Sequence, residues 1–264
     1  MREVIFPTIQ LKLNINNVAF SIFGIDIYWY AIFIVSAFLL AIILCKRDDG
    51  KYNIKFENIL ELLIITIPIS IVCARLYFVL FKLDYYLQNP LEILDIRNGG
   101  LAIYGGIIGA VITIAIYCKI KKIDLRDILD YLVPYLALGQ AIGRWGNFFN
   151  QEAYGTVTNN IFRMGIVENG IYSEVHPTFL YESISCFIIF SILFIMRNKR
   201  QYKGQITYLY LCFYGVVRAI IESMRTDSLM LGNFRISQIV SIVLFITFAT
   251  ILIYKNRKKE QKSE

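Results

Sequence analysis

Apolar residues in this chain come in long runs separated by short basic or polar stretches. Seven runs stand out, at residues 27–45, 58–81, 100–118, 128–143, 178–196, 205–224 and 236–254. The hydrocarbon core of a bilayer takes about 20 residues of helix, and only structures that satisfy their own backbone can cross it. The pattern therefore predicts an all-α polytopic membrane protein with seven transmembrane helices, in one integral membrane domain over 1–264. The fourth run is the shortest and carries Pro134, so its ends are the least defined. The arm 1–20 and the stretch 156–176 are too polar to span and read as a small outward-facing arm and loop. No continuous apolar core occupies the first 20 residues, so no removable signal peptide is expected.

The segments between the runs alternate in charge. Basic residues crowd 46–55 (Lys46, Arg47, Lys51, Lys55), 119–127 (Lys119, Lys121, Lys122, Arg126), 197–203 (Arg197, Lys199, Arg200, Lys203) and the C-terminal tail. The intervening segments carry less: Lys82 and Arg97 in one, Arg144 and Arg163 in the next, two arginines in 225–235. The positive-inside rule places the basic segments in the cytoplasm, giving an N-out, C-in arrangement. No inverted repeat is visible, which speaks against a transporter.

Composition narrows the class further. Hydrophobic residues make up 57% of the chain and charged residues 18%, against about 25% charged in soluble domains. The net charge of +7 is spread through the loops and reads as affinity for anionic lipid, not nucleic acid. Cys45, Cys73, Cys118, Cys186 and Cys212 lie in or beside apolar runs without metal-ligand spacing, and His176 is the only histidine. These read as packing residues, and neither a metal site nor a cofactor is expected.

Three places carry chemistry that packing does not require. The fourth run ends in GRWGNFFNQEAYG, Gly143 to Gly155, where Arg144, Asn147, Asn150, Gln151 and Glu152 crowd among glycines. That density suits a polar, anionic head group at a membrane edge. Charges also sit inside apolar runs: Arg75 in PISIVCARLYFVLF, and Arg218 and Glu222 in YLYLCFYGVVRAIIESMRTD. A charge at the bilayer centre costs roughly 2.5–3.5 kcal/mol even on permissive scales, so such residues are paired or face a wet cavity. At helical spacing Tyr214, Arg218, Glu222 and Arg225 share one sector, and Glu222 is placed to bridge both arginines. An interhelical salt bridge would explain them; with Arg144 near the same side, two guanidinium groups converging on one phosphate would as well.

Glycine rows in NGGLAIYGGIIGA (Gly105, Gly109; Ala102, Gly106, Ala110) read as close helix packing. Tyr104 and Tyr30 stand near outward ends of their spans, where tyrosines commonly form an aromatic belt or turn a hydroxyl into a cavity. His176 precedes Pro177 as a cap or loop anchor, and Glu182, one turn further on, enters the membrane and needs a partner. From these features alone, an anion transporter and a non-catalytic lipid-binding protein remain alternatives to an enzyme.

GRWGNFFNQEAYG, HPTFLYES, GGLAIYGGIIG and YGVVRAIIESMRTD, in this setting of seven spans, resemble the bacterial prolipoprotein diacylglyceryl transferases; VAFSIFGIDIYWYA and ARLYFVLF extend the likeness over nearly the whole chain. The resemblance implies a multi-pass enzyme of the bacterial inner or plasma membrane. Such an enzyme moves the diacylglyceryl group of phosphatidylglycerol onto the thiol of a lipobox cysteine in a prolipoprotein signal peptide, and glycerol phosphate leaves. Motif matching assigns Arg144 and Arg218 to the family's essential arginines, Asn147, Glu152 and Gly155 to its characteristic segment, and Tyr30 and Tyr214 to its functional tyrosines. Catalytic roles are then expected for Arg144, Arg218, Tyr104, Tyr30 and Tyr214. Substrate contacts are expected for Arg144, Asn147, Glu152, Gly155, Glu222, Arg225, Arg75 and His176. Two positions depart from the pattern: Tyr104 stands where many members have a histidine assigned as base, and Ala31 where glycine usually follows the Trp-Tyr pair. A phenol with a pKa of about 10 is a poor base at neutral pH. The sequence leaves the oligomeric state open.

Overall fold

The computed structural model describes residues 2–96, 99–168 and 170–263; Arg97, counted above with the second intervening segment, and Asn98, the first residue of NGGLAIYGGIIGA, lie outside them. In chain order the elements are β1 (Arg2–Phe6), β2 (Leu11–Ile15), β3 (Val18–Ile22), β4 (Ile25–Tyr28), α1 (Trp29–Arg47), α2 (Phe56–Phe81), α3 (Leu83–Gln88), α4 (Ile103–Lys121), α5 (Leu125–Asn150), β5 (Met164–Glu168), β6 (Ile171–Val175), α6 (Thr178–Met196), α7 (Gln205–Met224), β7 (Met230–Leu231), β8 (Phe234–Arg235) and α8 (Ile236–Ser263). Among the described residues six helices are long and apolar enough to cross a membrane: α1, α2, α4, α6, α7 and α8. The chain is a mostly helical, polytopic membrane protein.

The expected fourth run lies within α5, whose 26 residues span about 39 Å at 1.5 Å per residue. Its polar residues keep it below the apolarity of the other six. Part of that polarity is turned inward. Asp130 is fully buried and accepts from the backbone N–H groups of Gly204 (2.7 Å) and Thr207 (2.8 Å), capping α7 from a distance. Such remote capping satisfies the otherwise orphaned donors of a helix start.

Two compact units make up the chain, residues 1–43 with 129–264, and residues 44–128. In the first, α6 and α7 pack on each other and α7 on α8, around Val133, Ala137, Ile189, Leu193, Ile206 and Tyr210. The all-α expectation is corrected here. Strands from the N-terminal arm and from the loop before α6 form one antiparallel sheet of order β2-β1-β5-β6, with Val4 opposite Leu13 and Ile166. Alternate residues of these strands point inward: Val4, Ile15, Met164, Ile166 and Val175 are buried with Phe148 of α5 and Phe179 of α6. A period of two turns one apolar row onto those helices and leaves the other in water.

In the second unit α2 and α4 pack face to face. A Cβ on Gly105 would strike Tyr77 and the Cys73 carbonyl oxygen, and one on Gly109 would lie 2.7 Å from Cys73 Cβ. The glycines let the backbones approach that closely.

Candidate active site

The segment Gly143–Gly155 was read as the point where a span gives way to loop; α5 instead continues through it to Asn150. Aromatic packing carries the helix on. Phe148 lies 4.8 Å from Phe179, Trp145 5.5 Å from Phe179, and Phe149 5.0 Å from Trp29, centroid to centroid. These rings cover one side of the last two turns, while Arg144 and Asn147, three apart, share the other. The helix stops where Gln151 and Ala153 take positive φ.

Three helices contribute the site. Glu182, one turn into α6, is 1% exposed. Its Oε1 accepts from Arg144 Nη2 at 2.6 Å and from the Tyr214 hydroxyl at 3.2 Å, and its Oε2 from Arg218 Nη1 at 3.2 Å. Arg218 Nη2 forms an ion pair at 2.5 Å with Glu222, also 1% exposed, one turn along α7. On the other flank Arg144 Nη1 donates to Asn147 Oδ1 (3.1 Å), and Asn147 Nδ2 donates to Glu152 Oε1 (2.7 Å). The result is one continuous chain: Glu152, Asn147, Arg144, Glu182, Arg218, Glu222. Beneath it Tyr214 stacks on Tyr210 at 5.7 Å, whose hydroxyl donates to Gln140 (3.0 Å).

Glu182 is thus the hub, a position that sequence reasoning left merely in need of a partner. Its signal was a carboxylate one turn inside an apolar run, but nothing local says what it meets. Among the described residues the Glu222 carboxylate pairs with Arg218 and not with Arg225 as expected, while the Glu222 backbone carbonyl accepts from Arg235. Arg225 is the C-cap of α7 with extended backbone, φ −77° and ψ 148°, so its side chain leaves the helical sector. It makes a two-point contact with Asp227, at 2.8 and 2.6 Å. That bond holds the Asp227 carboxyl below its ordinary value.

Gly155 and His176 tie helix ends together. The Gly155 N–H donates to the His176 carbonyl (2.9 Å) and the Thr156 N–H to that of Met224 (2.7 Å), joining the segments after α5, before α6 and after α7. A Cβ on Gly155 would lie 2.7 Å from His176 Cβ and 3.0 Å from the Met224 oxygen, so a larger residue has no room. The His176 ring sits 3.3 Å from the Tyr181 hydroxyl. Tyr30 lays its ring over Gly146, so close that a Cβ there would strike it, on the turn of α5 that carries Arg144 and Asn147.

Beside this chain of polar groups lies an apolar cavity of about 450 Å³, lined by Phe33, Ala141, Trp145, Ser183, Ile184 and Phe187. Trp145 and Ser183 each follow a member of the cluster, Arg144 and Glu182.

Arg75 and Tyr104 belong to the second unit. Tyr104 stands in the first turn of α4 and is half-buried. Arg75, almost fully buried, donates to four backbone carbonyls: Ile93 (2.9 Å), Gly99 (3.1 Å), Gly100 (3.0 Å) and Glu92 (2.5 Å).

The family described as prolipoprotein diacylglyceryl transferase matches residues 17–254. A protein of Finegoldia magna named phosphatidylglycerol–prolipoprotein diacylglyceryl transferase is 48% identical over 250 residues, covering 94% of this chain and 99% of the relative. Relatives of the same name are 46% identical in Clostridium novyi, over 94% of this chain and 98% of theirs, and 42% identical in Clostridioides difficile, over 93% and 97%. With match, coverage and identity of this extent, the chain belongs to the prolipoprotein diacylglyceryl transferase family.

Proposed function

We propose that this protein transfers the diacylglyceryl group of phosphatidylglycerol to the lipobox cysteine of a prolipoprotein, the first step of lipoprotein maturation. The observation that carries the reading in this chain's own residues is the convergence of Arg144 and Arg218 on one buried carboxylate, Glu182. Arginine forks match phosphate oxygens and stay charged, and fixed cations are worth most where charge develops in a water-poor site.

The reaction joins the cysteine sulfur to the glyceryl carbon that bears the phosphate. The C–O bond to phosphate breaks, glycerol phosphate takes the electron pair, and the thiol proton is released. Each guanidinium has five N–H donors, and the partners above engage two nitrogens of each. Donors therefore remain for the phosphate, while Glu182 and Glu222 hold both forks in place. Tyr30 supplies a hydroxyl to phosphate or thiol, and Tyr214 does so by exchanging the single O–H that it gives to Glu182; Asn147 and Glu152 orient the glycerol hydroxyls or the signal peptide. A thiol of pKa about 8.5 is already a few per cent thiolate at neutral pH, and nearby arginines lower that pKa, so no dedicated base is required. For Tyr104 the proposal is hydrogen-bond donation, not proton abstraction. His176 and Gly155 act through the backbone they fix.

The donor's acyl chains lie in the bilayer, and the apolar cavity beside Trp145 and Ser183 suits lateral entry of one of them. We assign α5 as the seventh span and the Gly155 end of the bundle to the outer face of the cell membrane, on the alternation of basic segments.

The test is transfer from labelled phosphatidylglycerol to a lipobox peptide, with a Cys→Ser peptide as blank. Wild type should label the thiol, and Arg144→Ala or Arg218→Ala should lower the rate by about 10²–10³-fold, the usual cost of removing one charge-stabilising donor. No transfer by folded wild type would overturn the transferase reading and bring anion transport forward.

A further inference from the structure

The hairpin β3–β4 precedes α1 and lies outside the four-stranded sheet. Its register pairs Phe20 with Ile27 and Ile22 with Ile25, and between them Ser21 with Asp26. Directly opposed residues share a face and neighbours alternate. One face is therefore Phe20, Ile22, Ile25 and Ile27; the other carries Ser21, whose hydroxyl donates to Asp26 at 2.5 Å. Asp26 is the only charged residue between Val18 and Tyr28. Phe20, Ile22 and Ile25 on the apolar face are exposed. A two-stranded ribbon with an uncovered apolar face is marginal in water, so that face needs an occupant.

The turn at its tip is equally unusual. Phe23 and Gly24 both take positive φ, 50° and 80°, the geometry of a type I′ turn, in which asparagine or aspartate normally precedes glycine. A bulky side chain in the left-handed region is a conformational outlier, and this one is completely exposed, at 101%. Among the described residues no ring contact or hydrogen bond accounts for an aromatic ring there.

Continuity identifies the occupant. β4 ends at Tyr28 and α1 starts at Trp29 without a linker, and α1 is a membrane span most of whose surface faces away from the protein. The hairpin therefore emerges at the level of the head groups. We propose that the β3–β4 hairpin is a membrane-interface anchor, lying apolar face down on the leaflet from which α1 emerges, with Phe23 inserted among the acyl chains and Ser21 and Asp26 facing water. The partner is the phospholipid bilayer. An aromatic residue at the interface, backed by aliphatic ones, is the side-chain set such insertion uses.

Site-directed spin labelling of the full chain in vesicles of phosphatidylethanolamine and phosphatidylglycerol tests this. Labels go on Phe23→Cys, Ile22→Cys and Ser21→Cys, and wild type carried through the same reaction is the blank, since its free cysteines are buried or half-buried. Collision with oxygen, which partitions into lipid, should exceed collision with a water-soluble nickel chelate several-fold at 22 and 23; position 21 should show the reverse. Nickel access at 22 and 23 equal to that at 21 overturns the proposal in favour of a solvent-facing hairpin. Exclusion of both relaxers at 22 and 23 overturns it in favour of a protein partner, such as the signal peptide or a second copy. Should Phe23→Cys fail to fold, Ile22→Cys and Ile25→Cys read the same face.

Discussion

The two units solve the same problem, a guanidinium largely buried on a helix, in opposite ways. Arg75 in α2 spends its donors on backbone carbonyls of the segment that follows its own helix. Arg144 and Arg218 come from different helices and share a carboxylate on a third. Carbonyls fixed in a chain are not readily traded for a ligand, so we read the Arg75 arrangement as a fold clamp. A shared carboxylate leaves each fork partly unused and sits between charges, which is the arrangement that the proposed phosphate contact requires. In a membrane, then, what an arginine is bonded to separates structure from chemistry better than its depth does.

Loss of Arg144 or Arg218 tests the chemical half of that contrast most severely. Next in size is Glu182→Gln. Removing a buried charge that two arginines share should destabilise by about 3–5 kcal/mol and lower transfer even in the folded fraction; thermal unfolding beside the transfer assay separates the two. Retained activity at unchanged stability would show that the arginines need no positioning. Arg75→Ala should cost about 1–3 kcal/mol through orphaned carbonyls, with transfer per folded molecule nearly intact. A lost rate at wild-type stability would instead return Arg75 to the substrate contacts expected from sequence. Tyr104→Phe should slow turnover less than about tenfold if the phenol only donates a hydrogen bond worth about 1 kcal/mol; complete loss with normal expression and lipid binding would give Tyr104 a reacting role.

Smallest is Asp227→Asn, at about 0.5 kcal/mol or less, because the Asp227 side of its pair with Arg225 is half exposed. Its sign is set by titration. The folded carboxyl titrates below its ordinary value, so its contribution is present above the unfolded pKa of 3.8 and fades as pH falls through the folded one. Wild type and variant should therefore differ in melting temperature at neutral pH and converge in strong acid.

Much of the fold was legible from the chain alone. The runs 178–196 and 205–224 coincide with α6 and α7, and the others overlap their helices, although α5 runs on past residue 143 to Asn150 and α8 past residue 254 to Ser263, because a bilayer demands a long apolar stretch and the backbone bonds of a helix are local. Close packing at Gly105 and Gly109 could be read for the same reason, from spacing on one helix face. Arg144, Arg218 and Glu222 announced themselves as charges in the wrong solvent.

What stayed hidden depends on partners distant in sequence. The sheet pairs Val4 with Ile166, and neither segment carries a strand signal strong enough to outweigh its reading as loop. The extension of α5 through Arg144 and Asn147 follows from rings on α1 and α6 that brace its far side. Whether Glu222 would hold Arg225 turned on where α7 ends. Sequence by itself determined which segments are apolar enough to leave water and which charges need an explanation, since transfer from water is a property of composition and helical period. Only the tertiary structure decided that Glu182 is the residue on which both arginines meet, because a hydrogen bond reaches about 3 Å and those three helices are brought that close only by the packing of the whole.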